Sequence, residues 1–533
     1  MEPTEEQKAF IQSLTRREPT FLSARAGTGK TTTIRLGVEA LLASGVPPQE
    51  ISAVAFNKAN QEDLSKALPL SVKVSTLHSL GFAALRRFLP KRLQIEDDKV
   101  YRLLTRAGIR GKNARDTFKD TLRLISVAKN WALLPSDKAN PSSQPQATSS
   151  GTGRGPWKTG LTPDTPEAWA SLVEHFEIWD ADIIKAREVL LASNKAALEE
   201  GLIDFDDMVY LPLVLGARIL AADFLIVDEA QDLSPLNLAL LKSTPSKIWY
   251  VGDPFQAIYG WRGAASGLVE KLGLPVLPLT NCWRCSGEII SEARKYAPDI
   301  QTTNPKGLQV RRLKVLPDFA SLEPATILAR TNSTLISIAL RLRASRKRVC
   351  IFGRDFVKTL EGILGKLKGT NSKTLLESLR TWAEKMSDKY PHQAHLIRDY
   401  FKCLKAILQE VSGAQAALQL LKEIFSDSPQ PGDWVLSTIH KAKGKEFQKV
   451  FLIDWTPKGE QSWMKEEERN LKYVGVTRAR EELIIIPEDL ITQPSLEERA
   501  FAQTHFSFSR DEDIYSEEGE LLSSPTREDG LWD

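Results

Sequence analysis

The sequence predicts an α/β protein with two parallel-sheet lobes, each interrupted by a mainly helical insertion. Three observations carry that prediction. Short β-branched runs end in loops bearing Gly or Asp: ISAVAF (51–56), FLIVDE (224–229), IWYVGD (248–253), TILARTN (326–332), VLSTIH (435–440), VFLID (450–454) and LIIIP (483–487). Apolar runs without polar alternation suit strands covered on both faces, as in parallel sheets. These runs form two groups, before about residue 280 and after about 320, and the long segments inside each group have helical spacing. A chain of 533 residues is also too long for one compact core.

Taken in order, residues 1–85 and 204–280 form the first lobe and 86–203 its helical insertion. Within that insertion, 99–130 holds nine basic residues against Asp116 and Asp120. Its segment 135–166 has six Pro, four Gly and ten Ser/Thr. Such a stretch buries too little apolar surface to offset its ordering entropy, so a flexible loop is expected. Residues 281–354 and 433–490 form the second lobe. Its insertion, 355–432, is expected to be helical from spacings such as Leu396, Ile397, Tyr400, Phe401, Leu404, Ile407 and Leu408. Residues 491–533 are expected to be a disordered acidic tail.

Composition narrows the function classes. The first residues lack the basic start and apolar core of a secretory signal, and no stretch approaches the roughly 20 apolar residues that span a bilayer. Four cysteines suggest a reducing compartment, so a cytoplasmic protein without membrane contact is expected. Cys282 and Cys285 have C-x-x-C spacing, but no second pair stands nearby to complete a zinc site, and neither a metal nor a redox role is assigned to them. The net charge of +3 hides an asymmetry: 511–533 carries −8, leaving +11 on 1–510. A basic body favours a nucleic-acid partner. The tail, with Leu531 and Trp532 among acids, would dock on a protein partner, compete with DNA, or serve only solubility.

Chemistry concentrates first in FLSARAGTGKTTT (21–33), which leads into a helical pattern. Ala24 stands where the P-loop pattern wants its first Gly; from Gly27 onward the pattern fits. Gly27 and Gly29 let the backbone wrap phosphates, Lys30 would reach the β/γ-phosphates, and the Thr31 hydroxyl would hold Mg²⁺. Ala26, Thr28 and Thr32 complete the expected nucleotide contacts. In FLIVDEAQD, four apolar residues run into Asp228 and Glu229, two carboxylates at a strand's C-terminal edge. Asp228 suits the Mg²⁺ shell and Glu229 suits orientation of the attacking water. Arg284 and Arg478 are candidates to stabilise charge on the γ-phosphoryl group.

Together with TEEQKAF, AVAFNKAN, VSTLHSLGFAAL, VGDPFQAIYGWRGA, LTNCWRCS, STIHKAKGKEFQKVFL and EEERNLKYVGVTRARE, these stretches resemble, in order, the motif set of superfamily 1 DNA helicases of the UvrD/Rep/PcrA type. The resemblance implies two RecA-like P-loop lobes hydrolysing ATP with Mg²⁺ between them, and 3′-to-5′ movement on single-stranded DNA. By position it makes Gln7 the adenine-reading glutamine and Trp283 the aromatic that stacks on adenine, a place usually held by Tyr. Glu446 becomes the ribose contact with Gly444 beside it, and Arg284 and Arg478 the two arginine fingers. Gln256 becomes the γ-phosphate sensor and Trp261 a platform for an unstacked base. Phe56, Asn57, Tyr259 and Arg262 are read as further DNA contacts. Thr76, His78 and His440 either touch DNA or couple it to ATP. A core aromatic at Phe56 and a satisfied buried histidine at His440 compete with those roles.

The 355–432 insertion is shorter than in the larger members of that family, which puts processive unwinding in question. LIDFDDMVY offers Asp204, Asp206 and Asp207, but no matching Glu and Lys pair follows, so a nuclease is not expected. RLRASRKR (341–348) reads as a solvated basic face. The expected partners are single-stranded DNA and duplex junctions. The competing functions are a translocase that displaces proteins while unwinding poorly, and a nucleotide-switched subunit of a repair or defence assembly.

Overall fold

The computed structural model describes residues 2–109, 114–135, 161–176, 178–260, 267–304, 307–308, 310–389, 394–456 and 462–492. The chain divides after Thr280 into two compact units.

In the first unit six strands form one parallel sheet: β1 (Phe21–Ala24), β2 (Ile51–Ala55), β3 (Lys73–Thr76), β4 (Phe224–Val227), β5 (Lys247–Gly252) and β6 (Val276–Leu279). Their order is β6-β1-β5-β4-β2-β3, and every neighbouring pair runs parallel. The apolar runs have the expected cause, since both faces are covered. Phe224 and Ile226 of β4 pack with Phe10, Ile34 and Val38 from α1 (Glu5–Thr15) and α2 (Lys30–Ala43). Leu225 and Val227, pointing the other way, join a second cluster. Two helices near the chain start follow strands of this sheet: α3 (Lys58–Ala67) follows β2, and α4 (Leu77–Phe88) follows β3.

Among the described residues the expected insertion holds four helices: α5 (Lys99–Ala107), α6 (Ala114–Asn130), α7 (Pro166–Phe176) and α8 (Ile183–Glu200). Their apolar faces, including Leu104, Leu124, Trp169 and Leu190, share one core with Leu225 and Val227 of the sheet. Of the segment expected to be a flexible loop, 136–160 lies outside the described residues. Its last residues are ordered, which corrects that expectation. Thr162 donates through its backbone N–H to Ala132 O (3.0 Å) and through its hydroxyl to Trp131 O (2.6 Å). Asp164 accepts from Trp169 Nε1 (2.9 Å) and Arg187 Nε (2.7 Å).

The acidic stretch after α8 is occupied by lysines from the insertion. Lys129 Nζ pairs with Asp204 and with Asp207 (2.8 Å), and Lys99 Nζ with Asp207 (2.6 Å). Burial opposes the Lys129 charge, but the Asp204, Asp207 and Asp206 carboxylates outweigh it and raise its pKa. The lysine partners sought downstream of the carboxylates lie upstream, from a different helix each. Among the described residues no group of three or more His, Cys, Asp or Glu is arranged to hold a metal.

In the second unit another six-stranded parallel sheet contains β7 (Arg311–Arg312), β8 (Thr326–Ala329), β9 (Val349–Ile351), β10 (Trp434–Thr438), β11 (Phe447–Asp454) and β12 (Ala479–Pro487), ordered β7-β12-β11-β8-β10-β9. The protein is thus α/β with two RecA-like lobes. Between β9 and β10 lie α9 (Arg354–Leu364), α10 (Ser372–Lys389), α11 (Ala394–Glu410) and α12 (Ala414–Ile424). Leu360, Leu379, Leu404 and Leu421 from these helices pack with Ile327, Leu436 and Phe451 of the sheet. The run 435–440 ends as a strand at Thr438; Ile439–Ala442 is a short helix, so His440 is helical. The basic run 341–348 is partly engaged: Arg343 pairs with Glu423 (2.9 Å) and Arg348 with Asp433 (3.3 Å). No helix among the described residues is long and apolar enough to cross a membrane.

Candidate nucleotide and nucleic-acid site

At the C-terminal edge of the first sheet, the loop after β1 turns through Gly27 (φ 70°) and Gly29 (φ 87°). Both lie in the left-handed region, where a side chain would be strained. Lys30 opens α2, with Thr31 and Thr32 exposed in its first turn and Ala26 and Thr28 buried beneath the loop. The loop therefore offers backbone N–H groups and the start of a 14-residue helix to an anion.

Lys30 Nζ pairs with Glu229 Oε1 at 3.0 Å. Burial works against its charge, but Glu229, Asp228 and Asp253 together raise its pKa. Asp228 and Glu229 directly follow β4, and Asp228 N–H continues the sheet by donating to Val54 O (2.9 Å). Burial first, then repulsion from Glu229, pushes the Asp228 carboxyl up to about 6, with Lys30 opposing. A buried, repelled carboxylate beside a phosphate loop is the donor type a hard cation relieves, so Asp228 and Thr31 fit Mg²⁺. Glu229 has φ 53°, an unfavourable conformation for a side-chain-bearing residue, of the kind found where function fixes the backbone.

Two residues overlooked in the sequence tie this edge together. Gln231 donates through Nε2 to Glu229 Oε2 and accepts from Asp253 N–H at 3.0 Å. A Cβ on Gly252 would come within 2.5 Å of Gln231 Oε1, so this bridge requires glycine there. Arg25, also buried, places its guanidinium 4.7 Å from the Phe255 ring centroid and 3.8 Å from Asp253 Oδ1. Asp253 in turn accepts from Gln256 Nε2 (2.6 Å) and Phe255 N–H (3.2 Å). The candidate sensor is thus held by a buried carboxylate. The only signals in sequence were the DEAQD and GDPFQ contexts, which did not specify partners.

Gln7 closes one side of the loop, 3.7 Å from where a Gly29 Cβ would stand. Its side chain also has structural partners: Oε1 accepts from Thr4 N–H (3.0 Å), and Nε2 donates to Thr33 Oγ1 (3.2 Å).

Along the same edge of this unit stand aromatic pairs. Phe56, immediately after β2, stacks on Tyr259 with centroids 5.8 Å apart. His78, in the first turn of α4, stacks on Phe205 at 4.2 Å. Phe205 is 54% exposed, and sequence reasoning considered only the acids around it. Asn57 and Thr76 cap α3 and α4 by accepting from Asn60 and Ser79 N–H. Trp261 and Arg262 lie outside the described residues.

In the second unit Trp283 is 50% exposed. Arg284 Nε pairs with Glu446 Oε2 at 2.6 Å, and Arg480 Nη1 approaches Glu446 Oε1 at 3.3 Å. Gly444, two residues earlier, has φ 83°. Arg478 is buried and donates to Val474 O (3.0 Å), Lys445 O (3.0 Å) and Thr477 Oγ1 (3.2 Å). His440 is buried in its short helix.

Comparison with known proteins agrees with these motifs. The family model for the UvrD/REP helicase N-terminal domain matches residues 3–273, and that for the UvrD-like helicase C-terminal domain matches 357–489. The chain belongs to the UvrD/Rep helicase family. It is similar to F-box DNA helicase protein 1 of Schizosaccharomyces pombe, 27% identical over 92% of this chain and 58% of that protein. F-box DNA helicase 1 of Gallus gallus is 22% identical over 90% of this chain and 48% of that protein. ATP-dependent DNA helicase Rep of Escherichia coli is 28% identical over 52% of this chain and 40% of that protein. The chain thus spans about half the length of these relatives.

Proposed function

We propose that this protein is an ATP-dependent single-stranded DNA translocase and DNA helicase that moves 3′ to 5′. The observation that carries this is the Lys30–Glu229 pair among Asp228 and Asp253, beside a loop with two left-handed glycines. Lys30 holds the β/γ-phosphates, and Glu229 orients the attacking water once phosphate takes over its lysine. Asp228 and Thr31 would hold Mg²⁺, which when bound would offset phosphate charge. Gln7 and Trp283 read and stack on the adenine, with Glu446 and Gly444 at the ribose. Arg284 and Arg478 stabilise the transferring phosphoryl group, for which Arg284 must exchange its Glu446 partner.

On the DNA side, Phe56, Tyr259, His78 and Phe205 present π-faces to bases, and Trp261 is assigned the same role by its place in the motif; such stacking is worth roughly 1–3 kcal/mol per base and tolerates any sequence. Asn57, Thr76, Arg262 and His440 contact the strand or couple it to ATP. The basic balance outside the tail, +11, favours a polyanion, and the acidic tail serves a protein partner or competes for the DNA path. ATP turnover with and without single-stranded DNA, followed by unwinding of 3′- and 5′-tailed duplexes, tests this function. Turnover indifferent to DNA would overturn it in favour of a nucleotide-switched subunit.

The short 355–432 insertion, whose four helices share the core of their own sheet, favours a second reading. The motor would strip bound proteins more efficiently than it separates strands. Forked-duplex unwinding measured against streptavidin displacement discriminates the two.

A further inference from the structure

The residues proposed to stack on adenine and to act on the γ-phosphoryl group, Trp283 and Arg284, sit between two cysteines. Cys282 and Cys285 are both free and fully buried. Their turn is folded tightly enough for Cys285 N–H to donate to Cys282 Sγ at 3.4 Å. It is anchored on both sides: Cys282 N–H donates to Gln301 O (2.7 Å), Thr302 Oγ1 donates to Cys282 O (2.8 Å), and Ser286 N–H donates to Arg480 O (2.9 Å). Cys285 Sγ donates to Thr477 O (3.7 Å), a carbonyl that also accepts from Arg284 Nη1 (3.5 Å) and directly precedes Arg478. The thiol pair is thus wired into the segments of both candidate arginine fingers.

We propose that Cys282 and Cys285 form a reversible disulfide with hydrogen peroxide and that this cross-link switches off ATP turnover. The effect on turnover rests on the roles proposed for Trp283 and Arg284. Spacing alone had given no reason for a redox role; the folded turn supplies it. The two thiols have unequal characters: hydrogen bonds from Cys285, opposed by burial and assisted by nearby Arg284, lower Cys282, while Cys285 is raised. Because the Cys285 N–H donates to Cys282 Sγ and so favours its thiolate, Cys282 is the attacking thiolate and Cys285 the resolving thiol.

In the first step the Cys282 thiolate attacks one peroxide oxygen. The S–O bond forms, the O–O bond breaks, and the departing hydroxide takes up a proton as water. Cys285 sulfur then attacks the sulfenic sulfur; the S–S bond forms, the S–O bond breaks, and hydroxide leaves with the Cys285 proton as a second water. Two thiols lose two electrons and two protons, and one peroxide becomes two waters. Burial of both sulfurs favours this small oxidant over a bulky disulfide. The cross-link removes the Cys285 donor from Thr477 O and fixes both ends of the turn displaying Trp283 and Arg284.

The test treats the full chain with hydrogen peroxide, quenches with catalase, and measures peptide mass and ATP turnover with and without dithiothreitol. The Cys282–Cys285 peptide should lose about 2 Da, the mass of two hydrogens. Turnover should fall at least about tenfold, by analogy with loss of a single transition-state contact, and return on reduction. Cys285→Ser should stop at a Cys282 sulfenic acid that dimedone traps once the oxidised chain is unfolded in urea, while a Cys350→Ser/Cys403→Ser variant should keep the full response. Absence of the cross-link in the wild-type peptide map would overturn the proposal, and this measurement needs no variant to fold. Cross-linked protein with turnover within about twofold of reduced protein, far short of the loss a missing transition-state donor causes, would overturn the switch. Peptide mass does not depend on the nucleotide roles, which Arg284→Ala tests separately.

Discussion

Asp228→Asn should stabilise the nucleotide-free protein while removing its Mg²⁺-dependent turnover. The carboxyl is buried, and burial followed by Glu229 repulsion raises its pKa from 3.8 to about 6, against the pull of Lys30. A shift of about two units corresponds to about 3 kcal/mol. Because the folded-state pKa is raised, ionisation costs folding energy. The cost is complete above pH 6, where both states are charged, shrinks as pH falls, and vanishes below about pH 4, where both are protonated. Asparagine keeps an acceptor for Glu229 N–H, now 2.9 Å from Asp228 Oδ1, and leaves no cavity. The net shift already includes the pull of Lys30, so the gain is up to about 3 kcal/mol at pH 8 and about half that at pH 5. Urea unfolding at the two pH values, followed by near-ultraviolet circular dichroism, measures the gain; Mg²⁺–ATP should add stability to the wild type and little to the variant. A variant no more stable than wild type at pH 8, or equally stabilised at both pH values, would refute the assignment of a strained carboxylate.

The role split at the phosphates predicts that Lys30→Ala nearly abolishes hydrolysis, whereas Glu229→Gln binds ATP yet turns over at least about a hundredfold more slowly; fluorescent-nucleotide titration and phosphate release separate them. Arg284→Ala should lower kcat far more than ATP affinity, and unchanged kcat would remove it from the site. Phe205→Ala should weaken single-stranded DNA binding about 5- to 150-fold, the equivalent of one lost base stack, with basal ATP turnover intact; unaltered affinity in fluorescence anisotropy would return Phe205 to a packing role. Truncation after Arg510 should leave basal turnover unchanged and, where the tail competes for DNA, tighten DNA binding most at low salt. A tail serving a partner would instead cost a co-purifying protein.

The apolar centres of both sheets were legible because a strand covered on two faces cannot hide its composition. The strands missed are edge or near-edge ones with less to bury. β3 reads KVST with Lys73 exposed, and β6 reads VLPL with Val276 exposed and Pro278 tolerated at the sheet edge. Residue types with one chemical use, such as Lys30 after two glycines, announce themselves. Gln231, Arg25 and Phe205 do not, because their significance lies in partners distant along the chain. The same limit applies to the acids after α8: sequence presented Asp204 and Asp207 as a cluster, and only folding supplied Lys99 and Lys129.

Those long-range partners also suggest why the candidate nucleotide and base-stacking residues of the first unit share one sheet edge. Phosphate at Lys30 would compete for the ammonium now paired with Glu229, leaving that carboxylate to water and to Gln231. The other end of the Gln231 amide accepts from Asp253 N–H, and the Asp253 carboxylate holds Gln256. Three residues beyond Gln256, Tyr259 lies on Phe56. Apart from the covalent step from Gln256 to Tyr259, each link is an ion pair, a hydrogen bond or a stack between buried or half-buried groups, where an unmade bond costs about 1–3 kcal/mol. Under the proposed function, hydrolysis would change the charge at one end by removing a phosphate, and the other end carries the Tyr259–Phe56 stack, an aromatic pair suited to gripping a base.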